Sequence, residues 1–219
     1  MVIGPIGDFP YLLEQVSDHM YPDDSFAVLN GIYFEADRHY LYAVATDRHT
    51  LAATRRKLAT GAATGWSRFV PASALKSVRA FVRLNRRSPV HVGTASPNGF
   101  ALATEDQRLE VPVYEGELPE VWRGQWRSTL AQAIAAGPAL RQELQLSPVL
   151  LARWGKAGRA ERHMPLTVWS SGPNRPLVIA CGEDFLGAQM PLRYQGNPRL
   201  RVLSSWVESL EAIEARRAA

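Results

Sequence analysis

Phe9, Leu12, Leu13, Val16 and Met20 recur at the spacing of one helical face and predict a helix from Asp8, which can cap it. Pro10 is tolerable in a first turn. Ala27 to Phe34 and Tyr40 to Thr46 carry strand-type patterns around a polar turn at Asp37-Arg38-His39, and a third strand is expected from Thr50 to about Leu58. Small residues from Ala59 to Gly65 predict a loop. Arg68 to Pro71 predicts a short strand feeding a helix over Ser73 to Leu84. A meander follows over Pro89 to Thr94, Phe100 to Thr104 and Gln107 to Val113, with Pro97-Asn98-Gly99 as a turn. Helix, strands, helix and strands make one α+β unit ending near Trp122.

The remainder repeats this order in shortened form. A helix is expected from Arg127 to Ala136, stopped by Gly137-Pro138, and a strand from Arg141 to Leu146. Ser147-Pro148 then caps a helix ending near Gly155 or Gly158. Met164 to Ser170, Leu177 to Cys181 and Phe185 to Met190 are predicted strands. Both halves contain a strand, a proline, a short helix and further strands, at Val70-Pro71 and at Leu146-Ser147-Pro148. This order is read as a degenerate internal repeat. Beyond Tyr194, Ser205 and Glu208 have capping-box spacing. Trp206, Leu210 and Ile213 form the stripe of a tail helix that needs something to dock against.

Composition changes this picture little. The chain has 219 residues, 46% hydrophobic and 21% charged, with a formal charge of +4, which suits a soluble globular protein and permits an acidic partner without demanding one. One cysteine, Cys181, excludes an internal disulfide and a multi-thiolate metal site built by a single chain. No apolar run is long enough to span a bilayer and the start lacks a secretory signal pattern, so a cytoplasmic protein without membrane contact is expected.

Candidate enzyme chemistry is sparse. His19, His39, His49, His91 and His163 fall in no metal-ligand spacing and are expected at the surface or in turns; no metal or cofactor site is expected. Cys181, in an apolar strand, is expected to be buried and inert. Phosphate-binding and nucleophile-elbow motifs are absent. The adjacent carboxylates Asp23-Asp24 and Glu183-Asp184 fit turns better than a catalytic dyad. No enzyme is expected.

Several segments carry a resemblance. Leu29-Asn30-Gly31-Ile32-Tyr33-Phe34-Glu35-Ala36, then Val44-Ala45-Thr46-Asp47-Arg48-His49-Thr50-Leu51-Ala52, resemble a strand and turn in the middle domain of the bacterial DNA polymerase sliding clamp, the beta subunit of polymerase III. Phe69-Val70-Pro71 before a helix, Glu115-Gly116-Glu117-Leu118-Pro119-Glu120, and Gln189-Met190-Pro191-Leu192-Arg193-Tyr194 are similar to further segments of that family in the same order. The resemblance implies an α+β fold of DNA-clamp-like modules, helices packed on antiparallel sheets, one complete over 1–122 and one truncated over 123–195. A tail with a helix follows over 196–219. The family's first domain has no counterpart.

The resemblance also implies a non-enzymatic accessory protein of DNA replication or repair. In the family, a hydrophobic pocket between middle and last domains binds peptides of polymerases, the clamp loader and repair proteins. The matching positions here are Thr46, His49, Leu51, Met190, Pro191 and Arg193, with Leu192 and Tyr194 at pattern positions of changed identity. Such apolar and polar side chains together suit capture of an extended apolar peptide. The alternative is that Met190-Pro191-Leu192 simply ends a core strand. Two departures stand out: Arg48 replaces the family's glycine, and Thr50 replaces an arginine.

Duplex DNA is the second expected partner, contacted without sequence reading. Lys76, Arg79, Arg83 and Arg86 share one side of the second helix, Arg123 and Arg127 open the third, and Arg153, Lys156 and Arg159 lie at the fourth. The first helix is acidic, with Asp8, Glu14 and Asp18, and a solvated amphipathic surface accounts for the same pattern. A homo-oligomeric ring is one expectation. The other is a monomeric clamp-derived module that engages clamp partners without encircling DNA.

Overall fold

Strand residues of this chain alternate between two apolar environments, and that alternation builds the architecture. The computed structural model describes residues 2–58, 66–94, 96, 98–137, 145–160, 164–170, 172 and 175–192. Its strands are β1 (Val2–Ile6), β2 (Gly31–Ala36), β3 (Tyr40–Thr46), β4 (Thr50–Lys57), β5 (Trp66–Pro71), β6 (Val90–Gly93), β7 (Gly99–Ala103), β8 (Arg108–Pro112), β9 (Thr167–Ser170), β10 (Leu177–Cys181) and β11 (Phe185–Gln189). Its helices are α1 (Phe9–Ser17), α2 (Ala72–Leu84), α3 (Gln125–Ala135), α4 (Pro148–Arg153) and α5 (Gly155–Ala160).

Among the described residues these form two antiparallel sheets. One has four strands in the order β1-β6-β7-β8, the other seven in the order β5-β2-β3-β4-β11-β10-β9. The larger sheet crosses from the first half of the chain to the second through β4 and β11, which run antiparallel from Thr50 opposite Gln189 to Thr54 opposite Phe185. Arg55 locks one end of this seam, its Nε lying 3.1 Å from Asp184 and its Nη2 3.0 Å from the Glu183 carbonyl.

One face of the larger sheet, with Ile32, Phe34, Ala43, Ala45, Ala52 and Ile179, joins the main core together with α1, α2 and the inward side chains of the smaller sheet. The opposite face, with Tyr33, Val44, Leu51, Ala53, Phe69 and Ala188, has its own cluster, covered by Trp122, Trp126 and Leu130. Thus α3 and the short 3-10 turn at Glu120–Trp122 lie across the sheet from α1.

Several boundaries differ from the pattern-based expectation. β1 is a strand beyond the pattern-based expectation, and its few apolar residues pair with the distant β6. The strand expected from Ala27 starts at Gly31, because Asp23 caps a 3-10 turn (Ser25 N–H to Asp23 Oδ1, 2.9 Å) and the Leu29 and Asn30 N–H groups bond to Phe26. Asp8 sits at the N-cap of α1, but with φ 54° and no side-chain cap bond. Gln145 and Leu146 are not in a strand, and β9 begins at Thr167 rather than Met164. Residues 59–65, 141–144 and the tail with Ser205, Trp206, Glu208, Leu210 and Ile213 lie outside the described residues.

Candidate functional site: the seam between β4 and β11

The turn between β3 and β4 is built around one carboxylate. Asp47 accepts hydrogen bonds from the N–H groups of His49 (3.0 Å) and Thr50 (2.7 Å) and from the Thr50 hydroxyl (2.9 Å). Its other oxygen takes Arg153 Nη1 of α4 at 2.5 Å. Burial pushes this carboxyl up, but the Arg153, Thr50 and His49 hydrogen bonds outweigh it and hold Asp47 below the usual carboxylate value. The second half of the chain therefore grips the turn from behind. Arg48, at φ 77°, takes the left-handed conformation that a glycine adopts freely, and its guanidinium lies 5.3 Å from the Phe26 ring.

This turn and the end of β11 bring the predicted peptide-binding residues together. Thr46 pairs with Leu51 across the hairpin, Leu51 with Ala188 across the seam, and the Met190 N–H donates to the His49 carbonyl at 3.0 Å. The Leu192 N–H bonds to the Gln145 carbonyl at 2.9 Å. His49, Met190 and Leu192 are exposed and Pro191 half-buried, whereas Leu51 is 8% exposed and belongs to the buried cluster that includes Trp122 and Trp126. The open apolar surface is accordingly Met190, Pro191 and Leu192, with Leu51 as a filled floor. Arg193 and Tyr194 lie outside the described residues.

Behind the seam lies a buried polar group that the pattern did not reveal. His19, expected at the surface or in a turn, is fully buried at the end of α1. Its Nδ1 lies 3.1 Å from the Thr50 hydroxyl, and its ring centroid 4.2 Å from that of Trp154. Trp154 Nε1 donates to Gln189 Oε1 at 2.6 Å, and the Trp154 ring occupies the space where a Cβ on Gly187 would stand. Burial, with the Arg153 charge beside it, pushes the His19 imidazole down to about 4. The only available signal was local: a histidine one turn past an apolar helix face.

The basic residues separate into two sets. Arg127 bonds to Glu35 (Nε 3.1 Å, Nη2 2.9 Å) and lies over Tyr42 and Trp126; Arg123 pairs with Glu117. Both belong to the α3 side of the sheet, across from α1 and α2. Arg153 is held by Asp47, and Lys156 by Asp18 at 2.6 Å. Lys76, Arg79, Arg83, Arg86 and Arg159 are exposed and make no ion pair among the described residues. Arg86 lies just beyond α2. Arg79, Arg83, Arg86 and Lys156 share a groove of about 390 Å³ with the acidic Glu14 and Asp18 of α1.

A seven-stranded antiparallel sheet that runs across both halves of the chain, with α1, α2 and a four-stranded sheet sharing the core on one of its faces, defines a DNA-clamp-like fold. The comparisons with known proteins make the class specific: residues 7–120 match the DNA polymerase III beta subunit, central domain, and the chain belongs to that family. Solved structures agree in fold. The DNA polymerase sliding clamp of Pseudomonas aeruginosa is 18% identical with a TM-score of 0.65, covering 89% of this chain and 66% of its own. The polymerase III beta subunit of Thermotoga maritima is 15% identical (TM-score 0.63; 89% and 65%), and the sliding clamp of Bacillus subtilis 13% identical (TM-score 0.61; 89% and 64%). The chain thus spans about two thirds of the length of these clamps. No curated protein sequence matches it. No helix among the described residues is long and apolar enough to cross a membrane.

Proposed function

We propose that this protein is a sliding-clamp-like accessory factor of DNA replication or repair that captures partner peptides at the end of the β4–β11 seam. The observation that carries the reading is the convergence of Thr46, His49 and the exposed Met190 and Leu192 on one edge, braced from behind by Asp47 and Arg153. An extended peptide gains apolar contact with Met190, Pro191 and Leu192 and polar contact at His49, the combination such recognition needs. The partners are polymerase or clamp-loader peptides. A labelled polymerase peptide that binds clamps of the family tests this by fluorescence anisotropy. Saturable binding by the full chain, lost in Met190→Asp with the fold intact by circular dichroism, is expected. No binding, or binding indifferent to Met190→Asp and Leu192→Asp, rejects it.

Duplex DNA is the second proposed ligand, contacted through Lys76, Arg79 and Arg83 on α2. One observation favours the narrower reading of a binding module that does not encircle DNA: Arg123, Arg127, Arg153 and Lys156 are engaged by carboxylates of the same chain. That leaves a short basic stripe, and sequence-independent affinity scales with the number of phosphates neutralised.

A further inference from the structure

The apolar edge at Met190 continues inward. Met190 follows Ala188 by two positions, the spacing that keeps side chains on one side of an extended chain, and Ala188 pairs with Leu51 across the seam. Ala188 and Leu51 belong to the buried cluster that includes Trp126 and Leu130 of α3. The apolar face beside the peptide edge therefore runs into ground that α3 already occupies. We propose that α3 is a hinged lid over this inner half of the peptide site, latched by Glu35, and that full capture of a peptide displaces it. The proposal rests on the peptide-capture reading and adds the regulation of that site.

The hinge lies between two tryptophans with different anchorage. Trp122, just before α3, belongs with β2 and β5: its ring is 5.3 Å from that of Tyr33 and 5.5 Å from that of Phe69, and its Nε1 donates to the Val28 carbonyl at 2.7 Å. Gly124 follows at φ 106°, a conformation closed to most side chains, and a Cβ there would meet nothing within 4 Å. Gly137, at φ 65° and equally unhindered, closes the far end of the helix. A rigid helix between two such joints moves as one body with little change elsewhere.

The helix itself is loosely seated. It buries a single stripe, Trp126, Leu130 and Ala133, and Ile134 is 47% exposed. Beside that stripe a cleft of about 500 Å³ is lined by Leu130, Ala131 and Ile134 of α3 and by Ala53, Ala180 and Leu186 of the sheet. One carboxylate of β2 holds the first turn of α3 down. Glu35 Oε2 accepts from Trp126 Nε1 at 3.2 Å, and Glu35 Oε1 from Arg127 Nε and Nη2 at 3.1 and 2.9 Å. The Arg127 and Glu35 side chains are 36% and 24% exposed, so solvent screens this latch and limits its strength. A lid of this kind lowers apparent peptide affinity in proportion to the fraction of molecules in which it is lifted.

Two variants that touch neither Met190 nor Leu51 test the lid. Glu35→Gln keeps an acceptor for Trp126 and removes the charge that holds Arg127. Gly124→Ala strains the closed hinge without adding a contact. Affinity for the labelled polymerase peptide is measured by fluorescence anisotropy on the full chain, with circular dichroism verifying the fold of each variant. Each variant is expected to bind about fivefold tighter than the wild type. Hydrogen exchange adds a second readout in the wild type: saturating peptide is expected to quicken exchange at Gln125–Ala135. Equal affinity in the wild type and both folded variants, or α3 amides that become more protected with peptide bound, overturns the lid and leaves the peptide site standing. Absence of peptide binding by the wild type and both variants overturns the peptide site itself, and the lid with it.

Discussion

Gly187 and His19 show how single residues set the seam. A Cβ at Gly187 would lie 2.2 Å from Trp154 Cζ3, within the ring that bridges α1 and β11, so Gly187→Ala must displace Trp154. Overpacking of this kind costs about 2 kcal/mol and is read as a lower unfolding midpoint at unchanged mass. His19 has an ordinary imidazole value of 6.5 when unfolded and about 4 when folded, between Asp18, Asp47, Arg153 and Lys156. Between those values the unfolded chain binds the extra proton, so stability falls as pH drops from 6.5 towards 4, by about 3 kcal/mol across the window. Denaturant titrations of the wild type and His19→Gln check this: the slope over that window flattens in the variant. An equal slope in both would place the titrating group elsewhere.

At the scale of elements, the tie between the β3–β4 turn and α4 is the feature with the clearest consequence. The Asp47 side chain is 5% exposed and that of Arg153 21%, so Arg153→Ala leaves a buried carboxylate without its cation. Screening by solvent on the arginine side reduces the penalty for a fully buried pair to about 2 kcal/mol. Hydrogen exchange at Thr46–Leu51 is expected to quicken while β6 and β7 stay protected, which distinguishes loss of the brace from general loosening.

The elements also show what the sequence carries. The alternation in Tyr40–Thr46 and Thr50–Lys57 and the helical stripe of Ala72–Leu84 were legible because each period belongs to one local face. β1 was not, since it is strand only through its pairing with β6, some ninety positions away. The side of the sheet taken by α3 was equally hidden. Nothing local in Gln125–Ala135 states that Trp126 and Leu130 will lie over Leu51 and Ala53. Arg127 and Arg153 therefore looked like free basic residues until their carboxylates, Glu35 of β2 and Asp47 of the β3–β4 turn, came in from distant parts of the chain. The Thr46–Leu51 turn and Met190–Leu192 were recognisable as motifs. That Leu51 would be buried in one cluster with the chain's own tryptophans was not.

At the scale of the whole molecule, the family and fold are those of bacterial sliding clamps, on a chain spanning about two thirds of their length. DNA contact through α2 predicts a specific salt dependence. Replacing Arg79 and Arg83 by alanine removes two phosphate contacts and makes the log–log slope of affinity against salt shallower by about 1.8. An unchanged slope would move any DNA contact away from this helix.

Peptide capture at the seam would be seen in backbone hydrogen exchange of the full chain with and without a saturating polymerase peptide. Added protection is expected at Thr46–Leu51 and Gln189–Leu192, with α2, β6 and β7 unchanged. Saturable binding that leaves those two segments unaltered, or protects another surface instead, would contradict it.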